Sequence, residues 1–173
     1  MVFIVVINFF AGAGAGKSTI SADVFSQLKK MNYNCEMVGE YAKELILSNN
    51  YEALKDQIYL FAEQLHRLRS MDNRGVKIVV CDSPLLLSLI YDKNHEGKEF
   101  SDLVWKEHNK YENFNYFLER VEDFWKIDGR LGTKEIAKQN DMKILGLIGN
   151  LQYKKITPFD SDMVVGDINE RFC

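Results

Sequence analysis

The chain has 173 residues, of which 46% are hydrophobic and 27% charged, enough for one full hydrophobic core and ordinary for a globular protein. Its net charge of −3 speaks against a generally basic nucleic-acid binder, and no run approaches the roughly 18 apolar residues of a membrane span. Two prolines, no Ser/Gly-rich spacer and three cysteines without Cys-x-x-Cys spacing (Cys35, Cys81, Cys173) lead to the expectation of one domain over residues 1–173, with reduced thiols, in the cytoplasm.

The first element expected is a buried strand over residues 1–7, a run of β-branched and aromatic side chains. It is not read as a secretory signal, because no Lys or Arg precedes it and Asn8 interrupts the apolar stretch. Phe9-Phe10-Ala11-Gly12-Ala13-Gly14-Ala15-Gly16-Lys17-Ser18-Thr19 follows. Glycines let successive backbone N–H groups converge on one anion. Lys17 would then reach the β- and γ-phosphates of a nucleotide, and the Ser18 hydroxyl would sit on Mg²⁺. Gly12, Ala13, Gly14, Ala15, Gly16, Lys17, Ser18 and Thr19 are therefore the expected nucleotide-binding residues. The common phosphate-loop pattern has its first glycine where this chain has Ala11, with Gly12 beside it. Ile20, Val24 and Leu28 mark one face of the helix that follows, whose N-terminal dipole favours the same anion.

A second strand is expected at 35–39, then a helix over 40–47, then a long amphipathic helix over 53–71 with Leu54, Ile58, Phe61, Leu65 and Leu68 as its apolar stripe. Glu40 could accept a proton from an attacking hydroxyl or bind a substrate sugar. Lys43 and Arg67 are further candidates for holding the substrate. A third strand at 76–82 ends in Asp82, placed to hold Mg²⁺ together with Ser18. Ser83 stands next to it, not the glutamate that motor ATPases use to polarise water, which favours transfer over hydrolysis.

Helices are then expected from Pro84 to about 91 and over 101–109, and a fourth strand at 115–118. A lid is expected at about 119–132, carrying Arg120 and Arg130, whose guanidinium groups suit the charge of phosphoryl transfer. Thr133 would cap a helix to about 149 with Ile136, Ile144, Leu147 and Ile148 inward. A fifth strand at 153–157 and a helix over 161–171 complete the chain. Strands alternating with helices give an α/β fold, a parallel five-stranded sheet sandwiched by helices. Ligands bind beyond the carboxyl ends of such strands, an edge shared by residues 14–19, Glu40 and Asp82. Catalytic roles accordingly fall to Lys17, Asp82, Glu40, Arg120 and Arg130.

Four segments carry a family resemblance: Gly14-Ala15-Gly16-Lys17-Ser18-Thr19, Glu40-Tyr41-Ala42-Lys43-Glu44, Val80-Cys81-Asp82-Ser83, and Asp128-Gly129-Arg130. Together they resemble the P-loop nucleoside and nucleotide kinase group, most closely the ATPase/kinase-like domains related to ribosylnicotinamide kinase, many of them phage-encoded. In the second segment Lys43 replaces the relatives' arginine. The resemblance implies a P-loop fold with a lid, ATP and Mg²⁺ as cofactors, and transfer of the γ-phosphoryl group to a nucleoside or nucleotide acceptor in the cytoplasm, that of the host if phage-encoded. Two other readings stay open: a kinase acting on nucleic acid, at a polynucleotide end or a hydroxymethylated base, and a P-loop ATPase or nucleotide switch. The acceptor and the oligomeric state are not specified by the sequence.

Overall fold

The structure, a computed structural model, describes residues 4–72, 74–92, 96–121 and 132–172. Its strands are β1 (Val5–Phe10), β2 (Cys35–Val38), β3 (Ile78–Cys81), β4 (Glu112–Leu118) and β5 (Tyr153–Ile156). All pair in parallel, in the order β2-β3-β1-β4-β5. The helices are α1 (Lys17–Lys30), α2 (Tyr41–Leu47), α3 (Gln57–Asp72), α4 (Leu87–Tyr91), α5 (Gly97–His108), α6 (Lys134–Ile148) and α7 (Ser161–Phe172). This is the expected α/β architecture.

Strand alternation divides the core into two layers. Val6 and Phe10 of β1 join Val79 and Cys81 of β3 beneath side chains of α3, α4, α5 and α6. Val5, Ile7 and Phe9 join Ile78, Val80 and Tyr116 beneath Ile20, Val24 and Leu28 of α1 and Val164 and Ile168 of α7. Every residue of β1 is buried, as a central strand covered on both faces requires.

Several boundaries differ from the sequence-based expectation. β1 runs through Asn8 to Phe10 and does not stop at residue 7. Asn8 stands opposite Asn115 in the ladder, and its amide donates to Asn113 Oδ1 at 2.9 Å and Asn115 Oδ1 at 3.1 Å. A buried polar group is tolerated once its hydrogen bonds are made. The long helix is broken: Ala53–Lys55 is a 3₁₀ turn, Asp56 is extended, and Asp56 Oδ1 accepts from the Tyr59 N–H at 2.8 Å to start α3. α4 begins at Leu87 because the turn from Pro84 is closed by i to i+3 hydrogen bonds. α5 starts four residues earlier than expected, at Gly97, and β4 three earlier, at Glu112.

The inward faces also need correction. Ile58 is 50% exposed and Ile136 49% exposed, whereas Ala137, Ile144 and Ile148 define the buried face of α6. Asp141 lies on that face as well, since 137, 141, 144 and 148 follow the helical period. Cys35 and Cys81 are buried free thiols; Cys173 lies outside the described residues. Among the described residues no helix is long and apolar enough to cross a membrane.

Candidate functional site

The parallel sheet brings the loop after β1, Glu40 after β2 and Asp82 after β3 to one edge. Gly14 (φ 78°) and Gly16 (φ 96°) take left-handed backbone conformations, which side chains with a Cβ rarely adopt. Gly16 caps α1, and its carbonyl accepts from the N–H groups of Thr19 and Ile20. Among the described residues, no group accepts from the backbone N–H of Gly14, Ala15, Gly16, Lys17 or Ser18. The first turn of α1 carries no acidic side chain. A row of donors without an acceptor among the described residues, at the positive end of a 14-residue helix, is an arrangement that could hold an anion.

Lys17 is buried and donates from Nζ to the carbonyls of Ala11 at 2.9 Å and Gly12 at 3.3 Å. The Ser18 hydroxyl donates to Asp82 Oδ2 at 2.7 Å. Asp82 is 5% exposed, and its other oxygen, Oδ1, has no hydrogen-bond partner among the described residues. An orphaned buried carboxylate oxygen beside a hydroxyl is an oxygen-rich pair of the kind a hard divalent cation takes. Ser18 and Asp82 could thus hold Mg²⁺.

Glu40 is the N-cap of α2, half-buried at the end of β2. Its backbone setting is fixed by Gln64 of α3, which sequence reasoning missed. The Gln64 amide donates to the Gly39 carbonyl at 3.1 Å and accepts from the Tyr41 N–H at 3.3 Å, one residue on either side of Glu40. The signal was available, because Gln64 is a polar residue within the buried stripe formed with Phe61, Leu65 and Leu68. Such a residue must satisfy its amide locally.

The arginines divide. Arg67 forks onto Glu44 at 2.5 and 2.7 Å and lies 4.7 Å from the Tyr41 ring centre, so its guanidinium braces α3 against α2. The pair holds the Glu44 carboxyl below its usual range. Lys43 is exposed on α2. Arg120 donates from Nη1 to the Ala13 carbonyl at 2.8 Å and pairs through Nε with Asp141 Oδ2. Asp141 Oδ1 in turn accepts from the Gly12 N–H at 2.6 Å. Arg130 and most of the expected lid, residues 122–131, lie outside the described residues.

Tyr91 of α4 sits within electrostatic reach of Glu40, Asp141 and Arg120. Burial, reinforced by the negative charges of Glu40 and Asp141, pushes its phenol up to about 12, so it stays a neutral hydrogen-bonding group at pH 7. The Cys81 thiol, one residue before Asp82, is likewise pushed up to about 12 by burial and is no nucleophile. The geometry therefore brings Ser18 onto Asp82 beside Lys17, at the start of α1. It leaves Lys43 exposed and Arg67 tied to Glu44.

A family model described as an AAA domain matches residues 6–162. No curated protein matches the sequence significantly. Among solved structures, deoxyadenosine kinase from M. mycoides with bound dATP is similar, with 19% identity, a TM-score of 0.56, and coverage of 96% of this chain and 98% of that one. An APS kinase mutant from Mycobacterium tuberculosis shows 16% identity and a TM-score of 0.40 over 85% of this chain and 99% of that one. At such identities the likeness to the deoxyadenosine kinase is one of fold. The family match spans nearly the whole sheet and both sides of the site, and the chain belongs to the AAA domain family.

Proposed function

We propose that the protein is an ATP-dependent phosphotransferase whose acceptor is a nucleoside- or nucleotide-type small molecule. The observation that carries this reading is the row of unbonded N–H groups from Gly14 to Ser18 beside Lys17 and the Ser18–Asp82 pair. The fold shared with a deoxyadenosine kinase supports it, as does Ser83 in place of a water-polarising glutamate.

In this mechanism the loop N–H groups and Lys17 hold the donor's phosphates, Lys17 leaving the carbonyls of Ala11 and Gly12 to do so. Ser18 and Asp82 would hold Mg²⁺, which would supply charge neutralisation on the phosphate oxygens. The acceptor hydroxyl oxygen attacks the γ-phosphorus. A new O–P bond forms as the bond to the bridging oxygen breaks, and ADP leaves with that electron pair. Glu40 takes the hydroxyl proton. Lys43 lies on the helix that Glu40 opens and would meet an anionic part of the acceptor. Arg130 would supply the cation for the equatorial oxygens.

The test is transfer from γ-labelled ATP with Mg²⁺ to nucleosides, nucleoside monophosphates, nicotinamide riboside, and DNA with and without hydroxymethylated bases. Label is expected on a small acceptor. Label on DNA would replace this reading with a nucleic-acid kinase, and free phosphate alone with an ATPase. Lys17→Ala is expected to lower transfer by at least about 100-fold, with the unfolding midpoint little changed. Full activity in that variant would remove the phosphate-loop assignment.

A further inference from the structure

We infer that Asp141 and Arg120 are positioning residues that anchor the Gly12–Ala13 turn of the phosphate loop, so that Arg120 serves transfer through the loop and not by touching the phosphoryl group. The inference rests on the phosphotransferase reading and assigns two of its residues.

The turn is held at three of its polar backbone atoms, the Gly12 N–H and the carbonyls of Gly12 and Ala13. Asp141 Oδ1 accepts from the Gly12 N–H at 2.6 Å, Arg120 Nη1 donates to the Ala13 carbonyl at 2.8 Å, and Lys17 Nζ donates to the Gly12 carbonyl at 3.3 Å. Arg120 and Asp141 are themselves locked in a fork, Nε to Oδ2 at 2.5 Å and Nη2 to Oδ1 at 3.2 Å, with their side chains 14% and 13% exposed. Such forked, charge-assisted contacts fix direction as well as distance. They join three separate parts of the chain: the loop after β1, the residues after β4, and the inward face of α6.

Lys17 is the member of this set that must depart. A phosphate group draws its Nζ off the carbonyls of Ala11 and Gly12, and the start of the loop loses two hydrogen bonds as the nucleotide arrives. Asp141 and Arg120 hold the turn through that exchange and keep the following N–H groups, from Gly14 to Ser18, aimed at one point. To turn the N–H groups of these contacts toward the phosphoryl group, Arg120 would have to leave the Ala13 carbonyl and a shielded carboxylate. An unpaired Asp141 at 13% side-chain exposure is a costly outcome.

The deciding experiment is titration of ATP and Mg²⁺ into the wild type, Asp141→Asn, Arg120→Gln and the double variant by calorimetry, with the Gly12 amide followed by ¹H–¹⁵N NMR. Each single substitution is expected to weaken ATP binding roughly tenfold, a typical loss for a charge-assisted hydrogen bond. The double variant should bind no worse than the weaker single one, because the pair acts as a unit. The Gly12 amide proton should move upfield in Asp141→Asn. Unchanged ATP affinity and an unmoved Gly12 resonance, together with a lower rate at saturating ATP, would make Arg120 a group acting on the phosphoryl itself and overturn the inference. No ATP binding by the wild type would overturn the phosphotransferase reading, and the role of the anchor with it. Should Asp141→Asn not fold, Arg120→Lys carries the same test: lysine keeps the charge but cannot fork, and ATP affinity should still fall.

Discussion

His108, at the last turn of α5, is 3% exposed and packs edge-on against Trp105. Burial pushes its pKa from 6.5 down to about 4. The unfolded chain therefore takes up a proton near pH 6.5 and the native state only near pH 4, so between those values the unfolded state binds more protons. Stability is full above about pH 6.5 and declines as the pH falls toward 4, by up to about 3 kcal/mol. Its neighbour Glu107 behaves oppositely. Burial alone would raise that carboxyl, yet Lys110 and Arg69 hold it below its usual value, so its contribution is lost only below about pH 4.5. Between pH 6.5 and 4.5 the contribution of His108 falls while that of Glu107 is retained. Urea unfolding across that interval should show a falling midpoint in the wild type and a much flatter profile in His108→Phe.

At the scale of elements, the contact that shapes the site is α6 against the phosphate loop. A Cβ placed on Gly12 would lie 2.5 Å from the Ala137 carbonyl, and a helix backbone cannot yield as a flexible side chain would. The missing first glycine of the motif is explained by the same contact: Ala11 is fully buried among the apolar side chains of the α1 layer, and the close approach falls one residue later. Gly12→Ala should therefore weaken ATP binding roughly tenfold or more while costing only about 1–3 kcal/mol of stability, the usual range for overpacking. Calorimetric ATP titration beside denaturant unfolding separates the two effects. Ala11→Gly, by contrast, removes a buried methyl and leaves α6 where it is. The helix pair α2–α3 shows a similar dependence on one contact, since Gln64 fixes the backbone on either side of Glu40.

Across the whole molecule, stability rests on a central strand buried on both faces. Ile7 of β1 is fully buried between α1 and the sheet, and Ile7→Ala should cost about 2–5 kcal/mol, read as a lower urea midpoint with an unchanged slope. The sequence alone determined the architecture, because alternation of buried runs and helical stripes is written in local spacing, and so are Lys17 and Ser18, whose chemistry depends on neighbours in the chain. It also located Asp82 and Glu40, each at the carboxyl end of a strand. Boundaries were less legible: Asn8 reads as a break until Asn113 and Asn115, more than a hundred residues away, satisfy its amide. Asp141 escaped notice because a single carboxylate in a polar run has no local signature. Its role comes from α6 crossing the loop after β1, and the roles of Arg120, Arg67 and Gln64 likewise come from partners distant in sequence. Local spacing dictates which elements form and where the glycine loop with Lys17 and Ser18 falls, whereas hydrogen bonds between distant elements are set only when the helices pack on the sheet.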